Sequence, residues 1–381
     1  MSALHETLRR YVDDGTVPGA VGLVARGDEV EAVAVGSRDA AGAAPMTRDS
    51  LFRVASITKS VTAAALLTLV EEGTVGLGSP VAEWLPELAS PTVVRTPFSP
   101  VDDVVPAARA ITVEDLLSSR PGWGFPSDFS LPAVQALFAV QKDGRQPQAY
   151  PEPDVWLADL ARVPLLYQPG EAWLYGTASD LQGVLIARAS GRPLPDFLAE
   201  RFFEPLGMKD TAFEVPKEKR DRFTTAYRPD GTGALELADA PDGEWSGLPR
   251  FPSGGGGLVS TADDWLAFAR LLLNGGEAGG RRLLSHTSVS RMTANHLTSA
   301  QREIGALFLE GQGWGYGGSV DVEAIDPWNV PGRYGWVGGT GTTAHIVPRT
   351  GTVAVLLTQT AMTDPVPTPL MRDFWRCAAT S

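Results

Sequence analysis

Ser56 and Lys59 stand three residues apart in the stretch Ser56-Ile57-Thr58-Lys59. On a helix that spacing puts a hydroxyl and an amine on one side. Residues 60–73 (SVTAAALLTLVEEG) hold no proline and place Val61, Ala65, Leu66, Leu69 and Val70 at the intervals of a buried helical face. Ser56 would lie in the first turn, where free backbone N–H groups and the positive end of the helix dipole favour developing negative charge. A serine needs a base to lose its proton near neutral pH, and a lysine in apolar surroundings can supply one. Lys59 is one of only five lysines, with Lys142, Lys209, Lys217 and Lys219, and it alone lies in a strongly apolar stretch. The same pattern also arises from a serine at a helix start followed by a solvent-facing lysine, so spacing alone does not decide its chemistry.

Two further segments carry side chains that could complete such a site. Leu174-Tyr175-Gly176-Thr177-Ala178-Ser179-Asp180 precedes a helical pattern. A tyrosine facing Lys59 would have its phenolate favoured by the ammonium, could take the Ser56 proton and could return it to a leaving group. Packing before a helix is the alternative role. Gly335-Trp336-Val337-Gly338-Gly339-Thr340-Gly341-Thr342 leads into a β-rich run. Its small residues would let a substrate lie along a strand edge, or would simply form a glycine-rich turn.

Other chemistries find little support. Gly254–Gly257 lacks the Gly-Lys-Ser/Thr ending of a phosphate loop, and Ser260 or Thr261 before Asp263 and Asp264 reads as a helix start. There is no G-x-S-x-G elbow. The histidines, His5, His286, His296 and His345, form no metal-binding pair, so no metal and no cofactor are expected. His345 sits in an alternating strand pattern and reads as structural.

The elements that must position these residues are strands at both ends and helices between. Residues 20–25 and 30–36, joined at Gly27-Asp28, predict one antiparallel hairpin; 342–347 and 353–359 predict another. A last helix over 369–378 would cover the sheet. Residues 79–109 read as a long irregular excursion, followed by helices near 112–118, 132–140, 155–161, 177–189, 193–203 and 261–273.

The chain has 381 residues, 43% hydrophobic and 20% charged, enough for a large core and two lobes. A formal charge of −13 argues against nucleic acid or an anionic membrane surface as partner. The single cysteine, Cys377, excludes an internal disulfide and reads as an apolar filler. Residues 1–16 mix both charge signs around Leu4, Leu8 and Val12, unlike an export signal, and no apolar run is long enough to span a membrane. A cytoplasmic protein is expected; its oligomeric state is not legible.

In order and rough spacing, SxxK, Y-x-[N/S/T] and W-x-G resemble the serine β-lactamase and penicillin-binding-protein superfamily, in particular its class C-like branch of esterases and related hydrolases. The resemblance covers nearly the whole chain: Phe52-Arg53-Val54-Ala55, Ile111-Thr112-Val113-Glu114-Asp115-Leu116-Leu117, Gln168-Pro169-Gly170-Glu171, Pro205-Leu206-Gly207-Met208 and Gly255-Gly256-Gly257-Leu258-Val259-Ser260-Thr261 belong to it. It implies that Ser56 is the acylated nucleophile, Lys59 its activating partner and Tyr175 the general base and acid. The N–H groups of Ser56 and Gly339 would form the oxyanion hole, with Trp336, Gly338 and Thr177 against the substrate.

Two departures set expectations about selectivity. Thr177 stands where many relatives have Asn, and Trp336 where lactamases and peptidases have Lys or His. A cation there would pair with a substrate carboxylate; Trp336 offers an apolar face suited to an uncharged group. Trp123, Phe125 and Phe129 would add apolar surface to the pocket or anchor their loop. The expected fold is α/β (α+β): a central antiparallel sheet flanked by helices, in a lobe of residues 1–77 and 253–381, with a mainly helical lobe of 78–252. The expected activity is a cofactor-free carboxylesterase acting on a small-molecule ester through an acyl-enzyme. A weak β-lactamase, a D-amino-acid peptidase cleaving an amide, an acyltransferase and a non-catalytic ligand-binding relative are the alternatives.

Overall fold

The computed structural model describes residues 2–142 and 144–380. Its centre is a seven-stranded antiparallel sheet made from the two ends of the chain: β1 (Gly19–Arg26), β2 (Glu29–Gly36), β3 (Gly313–Trp314), β4 (Ser319–Val320), β5 (Tyr334–Gly338), β6 (Thr342–Val347) and β7 (Thr352–Thr358), in the order β3-β4-β5-β6-β7-β1-β2. Both predicted hairpins are present, with Gly27-Asp28 linking β1 to β2 in register Arg26↔Glu29. The N-terminal and C-terminal strands meet as β1 against β7, with Leu23 opposite Val355. No local signal announces that pairing, because more than three hundred residues separate the partners.

Helices α1 (Ala3–Asp13) and α6 (Pro369–Thr380) cover one face of the sheet. Their apolar sides meet at Leu4, Leu8 and Phe374, all of which would touch a Cβ placed at Gly22. The other face carries α5 (Ala262–Leu273), capped as expected by Thr261, whose hydroxyl accepts from the Asp264 N–H at 3.2 Å. Alternation along β6 divides its side chains between the faces. His345 packs edge-on against Trp375 of α6, whereas Ala344 and Ile346 line the gap beneath Trp265 and Phe268 of α5.

Helix α2 (Thr58–Glu71) corrects a detail of the pattern. Residues 58–69 are buried all round rather than on one face, because the helix runs through the middle of the molecule and packs on α4 (Thr177–Ser190). Helix α3 (Pro132–Val140) has its predicted bounds. The 79–109 excursion contains short 3-10 turns and a small ribbon pairing 92–94 with 104–106. A second ribbon, 226–229 with 235–239, escaped the sequence reading, as did β3 and β4. Strands of two to five residues are too short for alternation to register.

The tryptophan-glycine segment is likewise a strand rather than the turn before one. Tyr334 and Gly335 of β5 pair with β4, and the pairing then stops, so residues 336–338 are bonded to β6 alone. Among the described residues, no helix is long and apolar enough to cross a membrane.

Candidate active site

The chain enters the site through a strained turn. Phe52–Arg53 pair with Val259–Ser260, then Ala55 adopts φ +47°, in the left-handed region that costs a residue with a side chain of order 1 kcal/mol. That turn ends the strand and starts a single 3-10 turn, Ala55–Ile57, directly ahead of α2. Ser56 thus sits just before the α-helix, half-buried at the floor of a cleft. Lys59 reaches back one turn, and its ammonium donates to Ser56 Oγ at 2.9 Å and to the Gly255 carbonyl at 2.5 Å.

Tyr175 stands beside Lys59. The Lys59 ammonium lies 4.9 Å from the centre of its ring. The indole Nε1–H of Trp336 donates to Tyr175 Oη at 2.8 Å. The loop carrying Phe125 is clamped to the tyrosine by two backbone bonds, Phe125 N–H to the Tyr175 carbonyl at 2.9 Å and Tyr175 N–H to the Phe125 carbonyl at 3.0 Å. Gly124 must be glycine for this approach: at φ +138° a Cβ would lie 2.8 Å from the Tyr175 carbonyl.

The glycine run that is no phosphate loop finds its role here. A Cβ on Gly254 would lie 2.4 Å from the Ser179 carbonyl, so only glycine lets this loop lie against α4. There Asp180, a buried carboxylate, holds it: Oδ1 accepts from the Ser253 hydroxyl at 2.6 Å and the Gly255 N–H at 3.0 Å, and Oδ2 accepts from the Gln141 amide at 2.8 Å. Gly255 therefore links a fixed carboxylate to the lysine, its N–H bonded to Asp180 and its carbonyl accepting from Lys59. Asp180, Gly255 and Gln141 were missed by sequence reasoning; the available signals were an aspartate one helical turn inside α4 and a glycine run without a phosphate-loop ending.

These residues line a cavity of about 340 Å³. Its walls differ. Phe125, Phe308 and Trp336 face it on one side, and Gln141, Tyr150, Asp180 and Ser253 contribute polar groups. Gly339, exposed at the turn after β5, opens onto it, and a Cβ there would meet nothing within 4 Å. Ser56, Lys59, Tyr175, Trp336, Phe125 and Gly339 are thus brought together as the sequence reading expected.

Four residues are not. Thr177 is fully buried in the first turn of α4 and lines no part of the cavity, because the turn at Gly176 (φ +101°) sends it inward. Its hydroxyl has no hydrogen-bond partner among the described residues. Trp123 is an anchor for its loop: the ring is buried and its Nε1–H donates to the Val163 carbonyl at 2.8 Å. Gly338 is buried and does not line the cavity. A Cβ there would lie 2.5 Å from the Val54 carbonyl, so its small size lets β5 pack against the chain entering Ser56. Phe129 stands behind Phe125, ring centres 6.3 Å apart.

A hydroxyl bonded to an ammonium, with a tyrosine ring next to that ammonium and its oxygen held by an N–H donor, is an arrangement able to move a proton off a serine as it attacks a carbonyl carbon. Among the described residues, no group of three or more His, Cys, Asp or Glu side chains is placed to hold a metal ion.

Comparison with known proteins finds a matching family model, related sequences and related folds. The family model described as Beta-lactamase matches residues 4–372. Protein Rv1367c of Mycobacterium tuberculosis is 38% identical over 93% of this chain and 88% of its own length. The lovastatin esterase of Penicillium rubens is 30% identical over 97% and 95%. Among solved structures, EstCE1, described as a hydrolase with promiscuous acyltransferase activity, superposes with a TM-score of 0.80 at 25% identity, covering 99% of this chain and 97% of that one.

Proposed function

This chain belongs to the beta-lactamase family and is a serine hydrolase; we propose that it is a carboxylesterase acting on neutral short-to-medium esters through an acyl-Ser56 intermediate. The observation that carries this reading is the Ser56–Lys59 bond set beside a tyrosine that Trp336 holds by its N–H. Tyr175, as phenolate stabilised by the Lys59 ammonium and the indole, takes the Ser56 proton while Oγ bonds to the ester carbonyl carbon. The carbonyl oxygen becomes an oxyanion held by the N–H groups of Ser56 and Gly339. Collapse breaks the bond to the alkoxy oxygen, which leaves with the proton from Tyr175. Water then gives a proton to Tyr175 and adds to the acyl carbon; Ser56 departs and recovers that proton.

An alcohol in place of water would yield a new ester by the same steps. Transfer is the second reading, favoured by the likeness to EstCE1 and its acyltransferase description. Hydrolysis of β-lactams or D-amino-acid peptides ranks lower, since Trp336 stands where a substrate carboxylate would need a cation.

The cleft is read as lying between an α/β lobe of 1–77 and 253–381 and a mainly helical lobe of 78–252. A cytoplasmic setting fits a chain whose single cysteine, Cys377, leaves no internal disulfide to form.

The test joins a label to a substrate panel. A fluorophosphonate should add once, on the Ser56 peptide, and abolish hydrolysis of p-nitrophenyl esters. Those esters should be turned over faster than a chromogenic cephalosporin or a D-alanyl amide. An adduct on another serine, or full activity in Ser56→Ala, removes Ser56 from the mechanism.

A further inference from the structure

A continuous array of aromatic rings runs from the reacting centre to solvent. Phe308 stacks on Tyr175 with ring centres 4.7 Å apart. Phe129 lies edge-on to Phe308 at 6.0 Å and to Phe125 at 6.3 Å. Phe138, on α3, closes the array at 4.8 Å from Phe125 and 6.2 Å from Phe129. Phe125 and Phe308 line the cavity, whereas Phe138 is 46% exposed. Burying a phenylalanine is favourable, so one left half in water at the end of such an array has apolar surface to offer a ligand.

We propose that this array is a subsite for the alcohol half of the substrate, and that it takes a bulky aromatic or alicyclic group. The inference rests on the esterase reading above. Its direction follows from the proton path. Tyr175 must hand its proton to the departing alkoxy oxygen, so that oxygen lies against Tyr175, whose nearest ring neighbour is Phe308, with Trp336 next at the cavity wall. A flat apolar group on the alcohol would continue along Phe308 and Phe125 to Phe138, in the offset and edge-on contacts that aromatic rings prefer. In acyl transfer the same surface would receive the acceptor alcohol.

The test uses two ester series whose alcohols are similarly acidic, so the broken bond stays comparable. One compares 2-naphthylmethyl acetate with ethyl acetate; the other compares ethyl 2-naphthylacetate with ethyl acetate. The native protein should favour the naphthylmethyl alcohol in kcat/KM. Phe138→Ala should lower that preference by about three- to ten-fold, the range an aromatic contact supplies. Its preference in the acyl series should stay within two-fold. Phe98→Ala removes an exposed ring outside the cavity and should leave both preferences at native values. Thermal melting checks that both variants are folded. An unaltered alcohol preference in folded Phe138→Ala, or a loss confined to the acyl series, overturns the subsite while ester hydrolysis stands. A native protein that cleaves none of these esters instead overturns the esterase reading itself.

Discussion

The indole Nε1–H of Trp336 donates to Tyr175 Oη at 2.8 Å, while the rest of the ring lines the cavity. One side chain therefore does two things. It puts an apolar ring where a cation would attract an anionic substrate, and it keeps a hydrogen-bond donor on the tyrosine oxygen that the proposed proton transfer uses. The sequence reading anticipated only the apolar face.

Trp336→Phe separates the two roles, since it retains the ring surface and deletes the N–H. A hydrogen bond to a charged group contributes about 1.5–3 kcal/mol, so kcat should fall by roughly ten-fold or more with KM for a neutral ester little changed. Steady-state kinetics on one p-nitrophenyl ester measures this. A variant with native kcat would mean that the indole serves only as wall.

Lys59→Ala and Tyr175→Phe should each lower kcat by at least about two orders of magnitude, within the range usual for general acid–base groups. Because the two act on one proton, the double variant should lose far less than the product of the single effects. Multiplying effects would show that they act independently.

Asp180 reaches Lys59 through Gly255, whose N–H donates to the aspartate and whose carbonyl accepts from the Lys59 ammonium. Asp180→Ala should lower kcat by about 10–100-fold, the scale of a small misplacement of a catalytic group, with a smaller change in KM. Asp180→Asn keeps an acceptor for Ser253 and Gly255 and should recover most of the loss. Assays well below each variant's melting temperature separate this from simple instability; equal kcat in Ala and Asn variants would count against positioning.

His345 gives the fold a defined acid sensitivity. Burial, and then the nearby Arg333 guanidinium, push its pKa well below 6.5. In the unfolded chain the imidazole takes its proton near pH 6.5, while in the folded protein it stays neutral. The unfolded state then binds more protons, so stability is full above about pH 6.5 and falls as the pH drops, by at most about 1.4 kcal/mol per pH unit. Urea unfolding of the native protein and His345→Gln between about pH 7 and 5 should show the steeper acid loss in the native protein. Parallel slopes would place the acid sensitivity elsewhere.

Much of this molecule is legible from local rules. A serine and a lysine three apart at a helix start can meet, and in the structure they do, at 2.9 Å. A two-residue link between β-rich runs must make an antiparallel hairpin, and Gly27-Asp28 does. Thr261 before two aspartates must start a helix. Each depends on residues within a few positions of one another, where backbone geometry leaves few choices.

What the tertiary structure alone decided lies between distant residues. Trp336 and Tyr175 are 161 positions apart, Lys59 and Gly255 are 196, and Asp180 and Gly255 are 75. Thr177 carried a motif position, yet the turn at Gly176 aimed it into the core. Trp123 shared a loop with Phe125, yet only Phe125 faces the cavity. Side-chain direction at such places follows from how α2, α4 and β5 pack together, and that packing is a property of the whole chain. Local spacing brought Ser56 to Lys59; close packing of separate elements determined what holds the lysine and the tyrosine in place.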